Sequence, residues 1–149
     1  MAHTDLCLDN DAARTELTEI ATSVHAASAA CSVGSTWTVA TSLCHLAFWD
    51  RRALFQLKSW QESRSIEAVR LDPQSVASIN EAVNVIALQI PVPAAIALAV
   101  ESAAAVDALI VTIDEELAER ITAAGFERYL RRSLHRREHL RRIRRALTA

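Results

Sequence analysis

Leu134-His135-Arg136-Arg137-Glu138-His139-Leu140 is the stretch from which the fold of this chain is read. It lies in a segment, about 126–147, whose Tyr129, Leu140, Ile143 and Leu147 fall on one side of a helix. Two histidines four apart share a helical face, with roughly 6 Å between their Cβ atoms. That spacing lets two imidazoles take adjacent positions on one metal ion. His139 borders the apolar side, and His135 and Arg142 lie next to it, so the pair flanks the core-facing stripe. A third histidine, His45, sits far upstream in another helix. A bundle folded so that His45 meets His135 and His139 is the expectation.

The rest of the chain supports an all-α reading. It has 149 residues, enough for one domain with a substantial core. Half is hydrophobic, aromatics are only 5%, and there are 2 glycines and 3 prolines, too few turn and β-forming residues for an all-β domain. A first helix is predicted over about 9–30, capped by Asp9 or Asn10, with Ala13, Leu17, Ile20, Val24 and Ala27 as its stripe. His25, beside that stripe, is read as exposed or hydrogen-bonded and kept out of the site. The stretch 32–35 breaks the helix. Thr36 or Thr38 starts a second, running to about Ser59, in which His45 shares a sector with Trp49, Arg52 and Gln56.

After a polar connection, Asp72-Pro73 opens a short extra helix carrying Asn80 and Asn84. Pro91 and Pro93 end it, because residues before proline leave the helical region. The third long helix spans about 92–113. A short piece from Asp114, closed by Gly125, leads to the fourth. No β-sheet is expected. The outcome is a single four-helix-bundle domain over 1–149, with a short extra helix before its third long helix.

Charge and cysteine usage bound the partners. The net charge is −2, yet nine arginines lie between Arg128 and Arg145, just after the acids Asp114, Glu115, Glu116 and Glu119. They are read as a solvated helix face balanced by those acids, and the near-neutral total argues against a nucleic-acid partner. Cys7, Cys31 and Cys44 are odd in number and not spaced as CxxC, which fits free thiols in a reducing cytosol. The opening residues lack the pattern of a secretion signal. The uncharged run 82–100 passes a length test for a membrane span, but Asn84, Gln89, Pro91 and Pro93 interrupt it, so no membrane is expected. Leu130 and Leu134 point away from the stripe of the last helix and suggest a second contact surface, most simply a homodimer.

Two segments carry a family likeness: Trp37 to Asp50, with a tryptophan at the helix start and His45-Leu46 eight residues on, and Leu134 to Leu147 with its two histidines. Between them, Ser78 to Asn84 precedes a proline-bounded long helix. Together they resemble the DinB-like superfamily, which includes YfiT-type proteins and the metal-binding domain of mycothiol-dependent maleylpyruvate isomerases. The likeness runs from about residue 10 to the end. It implies a four-helix bundle holding a divalent metal through His45, His135 and His139, frequent dimerisation, and thiol transfer or isomerisation with mycothiol, bacillithiol or glutathione. Two departures stand out. Relatives commonly carry glutamate four residues before the first histidine, where this chain has Thr41, and no second domain follows the bundle, which counts against an isomerase.

Three imidazoles leave an open position on zinc, and more on nickel or iron(II), where a water or thiol would lose its proton near neutral pH. The expected activity is a cytoplasmic, low-molecular-weight-thiol transferase of the mycothiol type acting on a small molecule. A metal-dependent hydrolase and a non-catalytic, stress-related bundle are the alternatives. Arg52 and Arg142 share sectors with the histidines and are candidates for holding the thiol's carboxylate or sugar groups, with Trp49 lining the pocket. Asp50, Asn80 and Asn84 are candidates for orienting the imidazoles through their second nitrogens. No further catalytic residue is assigned.

Overall fold

The chain begins as helix at once. In the computed structural model, which describes all residues except Met1 and Val69, helix α1 spans His3–Ser23 and starts without a side-chain cap. Asp9 and Asn10, expected as caps, lie inside it. The expected first helix also ends early: Val24 leaves the helical region, and a single turn, α2 (Ala26–Ala29), restarts with His25 as its cap. His25 and Ser28 form a reciprocal capping box, which accounts for this exposed histidine without a functional role.

The break that follows corrects the expectation of no sheet. Strand β1 (Ser32–Gly34) pairs antiparallel with β2 (Trp37–Thr38), joined through Gly34 and Ser35, both at positive φ. The pairing is local: the extended residues before a helix cap satisfy one another's backbone groups. Thr38 then caps α3 (Val39–Ser63) in a capping box with Thr41. Thr41 is therefore part of the helix start. α3 runs past the expected Ser59 and ends at Arg64 in the left-handed region.

Asp72 caps α4 (Pro73–Ala87), accepting from the Ser75 amide at 2.8 Å. The prolines separate it from α5 (Val92–Thr112), as expected. Asp114 caps α6 (Glu115–Ala123), and Gly125 at φ +79° turns the chain into α7 (Glu127–Leu130). The fourth long helix is not continuous. Arg131, at φ −91° and ψ 70°, divides it, and α8 covers Arg132–Thr148. Asn10 of α1 clamps the division: its Oδ1 accepts from the Ser133 amide at 2.9 Å, and its Nδ2 donates to the Leu130 carbonyl at 2.7 Å. The residue expected to cap its own helix instead satisfies free backbone groups at the ends of two others.

Helices α1, α5, α3 and α8 close into a bundle, with α4 against α3. One of the two large apolar clusters holds Leu57, Trp60, Ile110, Ile113, Leu117 and Leu130; the other holds Leu17, Leu43, Leu46, Ala103, Leu140 and Ile143. Leu130 is thus core, contrary to its expected exposure, packed in the first of these clusters. Leu134 remains exposed. α5 has the length and composition to cross a membrane, and it packs its Ala95, Ala99, Ala103, Val106 and Ile110 side into the bundle.

Between the two clusters lies a buried layer of charge. Asp50 of α3 accepts from Arg132 Nε at 2.8 Å and from Arg136 Nε at 3.1 Å, and Arg136 reaches Asp107 of α5 through Nη1 at 2.8 Å and Nη2 at 2.9 Å. Arg136 is fully buried. The arginine run is therefore not wholly a solvated face. Although burial opposes its charge, the carboxylates of Asp50 and Asp107 raise the Arg136 pKa further. Arg137 and Arg144 do lie toward solvent, paired with Glu16.

Candidate metal centre

The site is built where α3 and α8 face each other. His45 stands two turns beyond the Thr38 cap and is buried; His135 and His139 are half-buried on α8. Because α8 restarts at Arg132, its phase is set by the Asn10 clamp and the Asp50 ion pairs, and that phase turns the i,i+4 pair toward His45. The three rings come together as the spacing predicts. Their centroids are 4.4 Å apart for His45–His139, 5.2 Å for His45–His135 and 4.8 Å for His135–His139. One nitrogen of each lies within 4.8 Å of the others.

Nε2 of His45 is 3.2 Å from Nε2 of His135. A tetrahedral zinc with arms of 2.0–2.1 Å sets its ligand nitrogens about 3.3 Å apart, so this edge already has the right length. The donor set of three imidazoles suits zinc, nickel or iron(II). The protonation state suits it too. Burial, first, and then the charges of His139, Arg132 and Arg142 lower the His45 pKa to about 3. Burial and Arg132 hold that of His135 well below its ordinary value, and burial lowers that of His139, with Glu138 opposing. The three rings are neutral at pH 7, the form that binds a metal.

The second nitrogens are arranged differently from expectation. Nδ1 of His45 is buried with no hydrogen-bond partner among the described residues, in a ring flanked edge-on by Trp37 and Trp49. Nδ1 of His135 faces Nη2 of Arg132 at 3.2 Å. A guanidinium only donates, so this Nδ1 accepts, the His135 proton sits on Nε2, and that proton points at Nε2 of His45. A metal held by Nε2 of His135 would require the ring's proton on Nδ1, the nitrogen that Arg132 now faces. Asp50 does not orient an imidazole; it is bound by Arg132 and Arg136 and acts on His135 through Arg132. Asn80 accepts from Trp49 Nε1 at 3.0 Å, and Asn84 donates to Thr36 Oγ1 at 3.1 Å, tying α4 to the turn before α3.

A cavity of about 520 Å³ opens from the histidines, and Trp49, Arg52, Asn80 and Arg142 line it. Arg52 hydrogen-bonds the Tyr129 hydroxyl and lies 5.5 Å from the ring centres of both Trp49 and Tyr129. Arg142 pairs with Glu138 at 3.3 Å. Sequence reasoning missed Arg132, Arg70, Tyr129 and Glu138 in this wall. Arg132 carried a signal, since it precedes His135 by three and shares its helical face. Arg70 carried none, because it comes from the irregular connection before α4.

Comparison of the chain with protein-family models, with curated proteins and with solved structures gives no match, so what this site does must be argued from its own geometry.

Proposed function

We propose that this chain is a divalent-metal-dependent enzyme of the DinB-like kind that transfers a low-molecular-weight thiol of the mycothiol type. The observation that carries the reading is a three-histidine cluster, neutral at pH 7, at the wall of a small-molecule-sized cavity. A zinc, nickel or iron(II) ion held there would supply Lewis acidity that lowers the pKa of a thiol or water at its open position. His45, His135 and His139 would hold the ion. Arg52 and Arg142 receive the polar groups of the thiol, donating to the sugar hydroxyls and amide carbonyls of a mycothiol-type thiol or to the carboxylates of other low-molecular-weight thiols. Trp49, braced by Asn80, and Tyr129 shield the reacting group from water. Free thiols at Cys7, Cys31 and Cys44 fit the cytoplasm, where such thiols are kept reduced. Exposed Leu134 is what supports a homodimer once Leu130 is placed in the core.

Metal hydrolysis is the second reading, and Glu138 favours it. It is the one carboxylate among the described residues lining the cavity, next to His139, where a general base would stand. Tag-free protein analysed by elemental mass spectrometry should carry one equivalent of metal. His139→Ala should lose it while circular dichroism shows an intact bundle. Loaded protein should then consume mycothiol with an electrophile such as an alkyl halide or epoxide. Ester cleavage that ignores added thiol would establish the hydrolase instead, and absence of stoichiometric metal would leave a non-catalytic bundle.

A further inference from the structure

The cavity beside the histidines has an unusual charge. Arg52, Arg70, Arg128, Arg132 and Arg142 line it, against Glu138 alone. Arg132 is neutralised from behind by Asp50. Arg128 and Arg142 share the single carboxylate of Glu138, at 4.0 and 3.3 Å. Arg52 and Arg70 make no ion pair among the described residues. Arg52 donates to a phenol, and Arg70 donates through Nη2 to the Ala124 carbonyl at 2.5 Å. Elsewhere some arginines are paired, as Arg64 is with Asp114 and Arg137 with Asp9 and Glu16, while Arg51 and Arg120 donate to a hydroxyl and a carbonyl instead. Three positive charges in this cavity are therefore left without an acid of their own.

These arginines are seated rather than loose. The Arg52 guanidinium lies between the Trp49 and Tyr129 rings, and that of Arg70 lies 4.6 Å from the centre of the Phe126 ring. Gly125 makes room for it, since a Cβ there would come within 2.6 Å of Arg70 Nη2. Held on aromatic faces, the guanidiniums keep free N–H groups without the entropy of a mobile chain. We infer that the cavity binds a small molecule bearing two or more carboxylate or phosphate groups on an apolar body, its charges taken by Arg52, Arg70 and the Arg128–Arg142 pair and its body lying against Trp49, Phe126 and Tyr129. The inference rests on this cavity being the functional site, and it goes beyond a thiol to fix the charge of what enters beside the histidines.

Calorimetric titration of metal-free protein tests it, with benzene-1,3,5-tricarboxylate, pyrophosphate and neutral benzamide as probes. A polyanion should bind about 100-fold more tightly than benzamide, as expected for two charge-assisted contacts. Whichever of the two binds better identifies carboxylate or phosphate as the preferred group. Affinity should fall as salt rises. Arg52→Gln and Arg70→Gln should each weaken it about tenfold, without changing zinc stoichiometry or the circular dichroism spectrum. Failure of both polyanions to bind, or binding unchanged in the Arg52→Gln/Arg70→Gln double variant, overturns the inference. Zinc binding by the wild type would still stand in that case. Polyanion binding by protein that takes up no zinc would overturn the metal reading and leave this one intact.

Discussion

Nη2 of Arg132 lies 3.2 Å from Nδ1 of His135, while Nε of the same guanidinium lies 2.8 Å from the buried carboxylate of Asp50. One side chain thus joins the histidine cluster to the ion layer at the bundle's centre. It also supplies a cation and a donor at the nitrogen that must become a donor when Nε2 takes a metal.

Arg132→Gln should therefore tighten zinc binding, by about tenfold or more, since an amide oxygen can accept from Nδ1–H and the nearby positive charge is gone. Competition against a chromophoric chelator measures this. A purely supporting role for Arg132 predicts the opposite sign, weaker zinc.

Asp50→Asn removes the carboxylate shared by two buried arginines. Leaving buried charge uncompensated typically costs about 3–5 kcal/mol. Urea unfolding of the metal-free variant should show a loss of that order. A change under about 1 kcal/mol would mean that Asp107 alone suffices to hold Arg136.

Asn10→Ala should cost about 2–4 kcal/mol, because it strands the buried Ser133 amide and Leu130 carbonyl together. It should also loosen the phase of α8, seen as faster amide exchange around residues 130–136. An unchanged exchange rate there would show that the division at Arg131 holds by packing alone.

The histidine cluster predicts an acid-side weakness in metal-free protein. Unfolded imidazoles titrate near 6.5, whereas His45 is held down to about 3 and His135 and His139 are lowered as well. Below pH 6.5 the unfolded chain takes up protons that the folded rings refuse. Stability is full above that pH and falls as pH drops, through about 3 for His45. Each such ring contributes up to about 1.4 kcal/mol per pH unit. Urea midpoints at pH 7 and 5 should differ clearly in the wild type and less in His45→Gln. Equal shifts in both would exclude His45 as a cause.

Much of this could be read along the chain. The helix starts at Thr38 and Asp72, the proline break before α5 and the apolar stripes are local signals, set by hydrogen bonding and periodicity within one turn or two. The His135–His139 pair was legible for the same reason: helical geometry places i and i+4 side by side whatever the helix packs against. Tertiary structure decided the rest. Asn10 looked like a cap for its own helix and instead clamps α7 to α8, because its partners lie more than a hundred residues away. Arg132 and Arg136 look like their surface neighbours, and only the approach of Asp50 and Asp107 from two other helices makes their burial tolerable. The same approach sets the phase of α8, and with it the meeting of His45 with the pair and the proton on Nε2 of His135. Periodicity identifies which side chains share a face; what stands opposite that face is fixed only when distant segments pack and each buried charge finds its counter-charge.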